Sequence, residues 1–196
     1  MSEHAETNGI RFGRTVLDVV VGELVDQPVQ GIVYPANTRG VMGAGLAGAL
    51  RSAAGPEVER EAMGRPPGDL GSAYSTSSGL LAERGIDVIL HAVVVPAIGQ
   101  HSVATAVFRG LDGALKLAAE RRLRSIALPF LGVSADDPET ERRTMAEGVV
   151  DVVIKRLRQR GVRLERIVFV VRFKDDQEML TAVIQRARER VWTTSA

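Results

Sequence analysis

Short apolar runs rich in β-branched residues alternate along the chain with segments in which apolar residues recur every three or four positions. Several runs are apolar on both faces, as strands buried between two helical layers are. These predicted strands lie at residues 15–21, 29–34, 86–95, 125–130 and 166–173, with a weaker one at 72–78. The periodic segments predict amphipathic helices at residues 103–118, 146–157 and 180–191. The alternation predicts an α/β fold, a three-layer αβα sandwich with a mixed, mostly parallel sheet of about six strands.

The domain organisation follows from the same pattern. Neither an internal repeat nor an interdomain linker interrupts the alternation, so we expect one domain over residues 14–192, preceded by a flexible leader at residues 1–13. Asp137 and Pro138 resemble a helix start, an N-cap followed by proline at the first helical position. Gly161 is the predicted stop of that helix.

Composition narrows the chemistry that this domain can carry. The 196 residues include no cysteine, which excludes disulfides, thiolate catalysis and thiolate zinc sites. The three histidines show no metal-ligand spacing, and His91, inside an apolar run, is interpreted as a core residue. We therefore predict neither a metal nor a cofactor.

Charge and hydropathy address the partners. The net charge of +1 argues against bulk nucleic-acid binding. No segment reaches the roughly 18 apolar residues that span a bilayer, and the N-terminus has no apolar run of the signal-peptide kind. We expect a soluble, cytoplasmic protein with no membrane partner.

The most informative stretch is a glycine-rich connection between a strand and a helix. The strand at residues 31–34 runs through Asn37 into Gly40, Gly43 and Gly45, and an Ala/Leu-rich helix begins near Leu46. Such a turn leaves backbone N–H groups pointing at one spot, backed by the positive end of the helix, and this geometry suits a pyrophosphate. An ordinary tight strand–helix connection is the alternative. Because ligands of parallel sheets bind beyond the carboxyl ends of the strands, the relevant loops should follow residues 29–34, 125–130 and 166–173.

The motifs, taken in order, resemble those of the macrodomains, the ADP-ribose-binding family, over about residues 14 to 190. The matching stretches are GELVDQPVQGIVYPAN (22–37), GVMGAGLAGALRSAAGPE (40–57), VILHAVVVP (88–96), SIALPFLGVSADDP (125–138) and RIVFVVRFKDD (166–176). The resemblance implies a macrodomain fold and a site for ADP-ribose or an ADP-ribosylated macromolecule.

The resemblance also implies a role for individual positions. Glu23 stands where the family's aspartate accepts a hydrogen bond from the adenine amino group, and Leu24 would pack on the purine. Phe173 is a candidate for stacking on the base, with a core position as the alternative. Asn37 corresponds to the asparagine that contacts the distal ribose. Two loops would cradle the pyrophosphate, the first with Gly40, Met42, Gly43, Ala44, Gly45 and Leu46 and the second with Gly132, Val133, Ser134 and Ala135.

Some positions depart from the family pattern. Tyr34 and Pro35 replace an asparagine and an alanine, and Ser134 stands where glycine is common. Serine can present its N–H there only if the turn does not demand a positive φ.

The same positions separate a binding protein from an enzyme. Ala47 stands where one hydrolase branch has an acidic residue. Residues 37–47 match a second branch, which uses a nucleophilic lysine and an aspartate, here Arg51 and Asp136. Arginine cannot deprotonate, so it could only clamp a phosphate or carboxylate, and a lysine introduced at position 51 is expected to restore the missing amine.

We therefore predict an ADP-ribose binder. The alternative is an ADP-ribosyl glycohydrolase or O-acetyl-ADP-ribose deacetylase in which Asp136 and Asn37 act on the distal ribose. A partner-binding scaffold with an inactive pocket is a third hypothesis.

Overall fold

A computed structural model describes residues 9–134 and 136–193. Its strands are β1 (Ile10–Phe12), β2 (Thr15–Val21), β3 (Gly31–Asn37), β4 (Ala73–Thr76), β5 (Val88–Val95), β6 (Ser125–Pro129) and β7 (Arg166–Val171). Its α-helices are α1 (Leu46–Ala54), α2 (Pro56–Met63), α3 (Ala104–Glu120), α4 (Glu139–Leu157) and α5 (Lys174–Thr193). Two short 3₁₀ helices lie at Leu24–Asp26 and Gly79–Arg84.

All the strands form one sheet in the order β1-β2-β7-β6-β3-β5-β4. The five inner strands are parallel, while the edge strands β1 and β4 pair antiparallel with their neighbours. The predicted αβα sandwich with a mixed, mostly parallel sheet is confirmed. Within the described residues the sheet has seven strands, where the sequence predicted about six.

The additional strand corrects the predicted leader. Residues 10–12 belong to the sheet, because they form β1 and pair with Thr15–Leu17 of β2 across a tight turn in which Gly13 has φ +59°. Residues 1–8 lie outside the described residues.

Helices cover both faces of the sheet, as the doubly apolar strands predict. One core contains Val33 and Leu90 of the sheet together with residues of α3, α4 and α5. The other contains Ile32 and Tyr34 with residues of α1, α2 and both 3₁₀ helices. Adjacent residues of β3 thus enter opposite cores, because side chains alternate along a strand. No helix in residues 9–134 and 136–193 is long and apolar enough to cross a membrane.

The ends of α4 differ slightly from the prediction. Pro138, rather than Asp137, is the N-cap, and the helix begins at Glu139. The reason is that the Asp137 carboxylate accepts a hydrogen bond from the Ser134 N–H at 2.6 Å and so belongs to the preceding loop. The helix ends at Leu157, before the predicted stop, and Gly161 adopts φ +90° in the turn that follows.

An aromatic row crosses the sheet beside the second core. The His91 ring meets the edge of Tyr34 at a centroid distance of 5.5 Å and stacks on Tyr74 at 4.5 Å. His91 Nε2 lies 2.9 Å from Thr76 Oγ1, while Nδ1 is buried with no hydrogen-bond partner among the described residues. Burial, aided by the positive charge of Arg65, lowers the pKa of His91 from 6.5 to about 3, so the ring is neutral. His91 is the core residue that the sequence predicted.

We expect this histidine to make stability depend on pH. Between pH 6.5 and 3 the unfolded chain binds a proton that the folded chain does not, so stability is fully present above pH 6.5 and falls as the pH drops. From pH 7 to pH 5, urea denaturation should show His91→Gln losing about 2 kcal/mol less stability than the parent. The exposed His101→Gln is the matched control. Equal losses in His91→Gln and the parent would contradict the assignment.

Candidate functional site

A cleft of about 440 Å³ opens at the carboxyl ends of β2, β6 and β7. Its walls come from residues 22–24, 129–134 and 170–173, with Pro35, Leu46 and Asp176. Strand alignment explains this assembly, because parallel strands bring the loops at their carboxyl ends to one edge of the sheet. The loops predicted to matter, after residues 29–34, 125–130 and 166–173, all contribute.

A second groove, of about 600 Å³, runs between α4 and α5 and includes Ile154, Lys155 and Ala187. It contains none of the predicted site residues. It also lies along helix flanks rather than beyond the strand ends, where α/β sheets bind ligands, so the 440 Å³ cleft is the candidate site.

One end of the cleft carries the residues predicted to hold a base. Leu24 is buried in the wall, Glu23 is exposed, and Phe173 lies just beyond β7 with 53% of its surface exposed. A ring this exposed is not a core residue, which removes the alternative left open by the sequence. Phe173 therefore offers an apolar face to the cleft, beside a carboxylate acceptor.

The second loop is shaped by a glycine. Gly132 has φ +80°, and a Cβ there would lie 2.9 Å from Met145 Sδ, so other residues would strain the turn. Ser134 does not have a positive φ, since Arg122 is the only non-glycine residue with one among those described. Serine thus fits this turn without strain, and the backbone conformation lets its N–H donate a hydrogen bond.

That N–H already has an acceptor within the chain. The Asp137 carboxylate receives it at 2.6 Å, at a position predicted to bind a pyrophosphate. A carboxylate oxygen resembles a phosphate oxygen as an anionic acceptor, so this N–H points at an anionic group of the chain itself. Asp136 is exposed and is not part of the cleft wall. Ala135 lies outside the described residues.

The first loop is divided between internal and exposed positions. Met42 is fully buried in the second core, and a Cβ at Gly40 would lie 2.9 Å from the Ala62 backbone. These two predicted ligand residues therefore support the loop from below. Ala44 and Gly45 are exposed, and Gly45 is the N-cap of α1 with φ +64° and no side-chain capping bond. Leu46, the first residue of α1, lines the cleft.

Asn37 has a structural role that the sequence did not predict. Its Oδ1 accepts hydrogen bonds from the N–H groups of Arg39 and Val41, and its Nδ2 donates to the Val41 carbonyl at 2.7 Å. The side chain is 7% exposed and does not line the cleft. In this structure Asn37 fixes the conformation of the first loop instead of presenting its amide to a ligand.

Arg51 is likewise occupied. Its Nη1 lies 3.2 Å from Glu59 Oε2, and Glu59 Oε1 accepts the Met42 N–H at 2.6 Å. The arginine thus braces a carboxylate that holds the first loop, and it does not line the cleft. In this structure Arg51 supports the loop through Glu59, and the predicted clamp on a phosphate stays a prediction. Glu59 was missed because the sequence pattern carries no sign of a partner eight residues away.

Asp176 is the other site residue that the sequence analysis overlooked. It lies in the first turn of α5, lines the cleft and pairs with Arg142 Nη1 at 2.6 Å. Both side chains are largely buried, at 10% and 17% exposure. The sequence does show an acidic pair, Asp175 and Asp176, one residue beyond Phe173, but such a pair is equally typical of the first turn of a helix. Within residues 9–134 and 136–193, no group of three or more His, Asp or Glu side chains could hold a metal ion.

Comparisons with known proteins agree with this geometry. The family model of the Macro domain matches residues 33–141, more than half of the chain. An Aeropyrum pernix protein is 37% identical over 121 residues, 62% of each chain. An Aquifex aeolicus protein is 33% identical over 135 residues, 68% of this chain and 80% of its own length. An ADP-ribose glycohydrolase of Archaeoglobus fulgidus is 25% identical over 191 residues, 90% of this chain and 96% of its own.

Solved structures share the fold. The Oceanobacillus iheyensis macrodomain with MES bound gives a TM-score of 0.78 at 21% identity, covering 93% of this chain and 97% of its own. A Trypanosoma brucei macrodomain in complex with ADP-ribose gives 0.73 at 21% identity, covering 86% of this chain and 68% of its own. The sequence match, the sheet order and the position of the cleft lead to one conclusion: the chain belongs to the macrodomain family.

Proposed function

We propose that this protein binds ADP-ribose, free or attached to a macromolecule, in the 440 Å³ cleft. The observation that carries the proposal is the meeting of two sets of backbone donors in one cleft. One set is the start of α1, whose N-cap Gly45 makes no side-chain capping bond, and the other is the second loop at residues 132–134. Together they suit a diphosphate, because helix starts and tight turns present N–H groups to anions.

The remaining wall suits an adenosine. Phe173 supplies an exposed aromatic face, Leu24 an apolar surface and Glu23 a carboxylate able to accept from an amino group. The Trypanosoma brucei relative forms a complex with ADP-ribose, which supports the same ligand class here.

Binding without hydrolysis is the function that the side chains support best. The Archaeoglobus fulgidus relative is an ADP-ribose glycohydrolase, so hydrolysis is the natural second candidate. Here, however, Asn37 is engaged with its own loop, Arg51 is paired with Glu59, and Asp136 is exposed outside the cleft wall. The groups proposed for catalysis are thus not gathered around a common point in the cleft.

The first test is a calorimetric titration of the parent and Phe173→Ala with ADP-ribose. We expect the parent to bind and the variant to bind roughly tenfold more weakly, because base stacking on an aromatic ring is worth about 1–3 kcal/mol. Leu80→Ala is the control, since Leu80 is 60% exposed and lies outside the cleft wall. Absence of binding by the parent would exclude the proposal, and unchanged affinity in Phe173→Ala would remove the ring from the site.

The second test concerns the internal carboxylate on the second loop. Asp137→Asn should tighten ADP-ribose binding by roughly threefold to tenfold, because a neutral amide competes less well than a charged carboxylate for the Ser134 N–H. Asp136→Asn removes the same charge from an exposed neighbour without touching that N–H, and it should change affinity little. Equal effects of the two variants would show that only the overall charge matters.

The third test concerns catalysis, and it revises the expectation for position 51. A lysine there would face Glu59, whose negative charge favours the protonated ammonium and so opposes nucleophilic attack. We therefore expect neither the parent nor Arg51→Lys to release ADP-ribose from a modified protein, measured by chromatography. A covalent adduct trapped by reduction on the introduced lysine would contradict the placement of Arg51.

A further inference from the structure

Asp176 is a buried acid on the cleft wall to which neither a stabilising nor a ligand-binding role has yet been assigned. Its Oδ1 accepts the Arg142 Nη1 hydrogen bond at 2.6 Å, while Oδ2 accepts none from the described residues. The buried polar atoms that lack a partner in residues 9–134 and 136–193 are Tyr74 Oη, His91 Nδ1 and Arg142 Nε, and Oδ2 is not one of them. Oδ2 is therefore accessible, and it can accept a hydrogen bond from a molecule in the cleft.

The chain places Asp176 at a particular level along the cleft. Phe173, the aromatic platform, stands three residues earlier, directly before the same helix. Arg142, its partner, lies on α4 shortly after the second loop at residues 132–134. Phe173, Asp176 and residues 132–134 all line the same cleft, and from these connections along the chain we infer that Asp176 belongs to the stretch of wall between the base and the diphosphate. In ADP-ribose the part that joins these two is the ribose of the adenosine.

Arg142 fixes one oxygen of this carboxylate, although the hydrogen-bond donors of its own guanidinium are not all paired. The pair is joined end-on through one guanidinium nitrogen, and the buried Arg142 Nε finds no acceptor among the described residues. A donor left unpaired in this way costs stability, so the pair is not arranged for the best ion-pair geometry. The arrangement instead fixes Oδ1 and leaves Oδ2 accessible on a residue of the cleft wall, as a positioned acceptor requires.

On this basis we propose that Asp176 accepts hydrogen bonds from the hydroxyls of the adenosine ribose and selects ligands in which that ribose carries no phosphate. The inference rests on the proposed function and specifies its substrate class. A carboxylate is an acceptor only, so it suits the donor hydroxyls of a ribose. A phosphate on the 2′-oxygen would replace a donor by an anionic acceptor, so that two acceptors would face each other without a proton between them, next to a carboxylate whose charge Arg142 offsets only through Oδ1. The same acid-to-hydroxyl logic operates in dinucleotide sites that distinguish the two forms.

The experiment is a calorimetric titration with three ligands. These are ADP-ribose, its analogue lacking the 2′-hydroxyl of the adenosine ribose, and its analogue with a 2′-phosphate there. The proteins are the parent, Asp176→Asn and the control Asp175→Asn, which removes the same charge from an exposed neighbour on the same turn. Asparagine keeps an oxygen for Arg142 but replaces the free acceptor by a donor. Urea denaturation checks that each variant folds, and Asp176→Leu combined with Arg142→Met replaces the pair by apolar groups if Asp176→Asn does not.

We expect Asp176→Asn to bind ADP-ribose roughly tenfold more weakly than the parent, the loss typical of one hydrogen bond to a charged group. The 2′-deoxy analogue should bind the parent roughly tenfold more weakly than ADP-ribose, with no further loss in Asp176→Asn, because both changes remove the same contact. The 2′-phosphate analogue should bind the parent on the order of 100-fold more weakly, and Asp176→Asn should narrow that gap. Asp175→Asn should behave as the parent does.

The outcomes separate two failures. A parent that binds none of the ligands overturns the proposed function and this inference together. If the parent binds ADP-ribose, the losses of affinity of the two ribose analogues relative to ADP-ribose are compared in the parent and in Asp176→Asn. Equal losses in the two proteins would overturn only the role of Asp176. If the parent prefers the 2′-phosphate analogue, the role of Asp176 is also overturned. The attraction for the phosphate would then come from Arg172, an exposed cation on the same wall.

Discussion

Backbone N–H groups at the turns from strand to helix have no partner in the sheet and must find other acceptors. The site is arranged around these donors. The five parallel strands bring such turns to one edge of the sheet. Two of the donors are met by acids of the chain itself, Met42 N–H by Glu59 and Ser134 N–H by Asp137. The cleft is therefore built from donors that attract anions whether or not a ligand is present.

Three acids near this edge of the sheet already have partners within the chain. Glu59 is paired with Arg51 and Asp176 with Arg142, while Asp137 is bound by a backbone donor. These three negative charges are thus offset locally, and the net charge of the chain is only +1. Recognition then depends on the direction of hydrogen bonds more than on a broad positive field.

Hydrophobic periodicity predicted the inner strands, the longer helices and the edge of the sheet at which the cleft lies, because burial on two faces leaves a strong mark on sequence. It did not predict β1, which has three residues and little pattern of its own. The turn at Gly13 was a hairpin signal that we assigned to a leader. Motif positions located Phe173 and the second loop correctly on the cleft.

The same motifs did not predict the contacts that Asn37 and Arg51 make within the chain, and the reason is physical. A motif gives a place along the chain, whereas the direction of a side chain depends on partners from elsewhere. Asn37 turns inward to Val41, and Arg51 is held by Glu59 on the next helix. The contact between Asp176 and Arg142 spans 34 residues and joins two helices, so no local pattern contains it.

The contact between Asp137 and the Ser134 N–H changes the nature of ligand association. In the proposed binding mode, an incoming diphosphate would have to exchange with the chain's own carboxylate on the second loop. That carboxylate holds the loop in shape beforehand, so binding would cost little ordering entropy. The affinity would then reflect a difference between two anions, and a ligand with weakly charged or badly directed oxygens would not displace the Asp137 carboxylate.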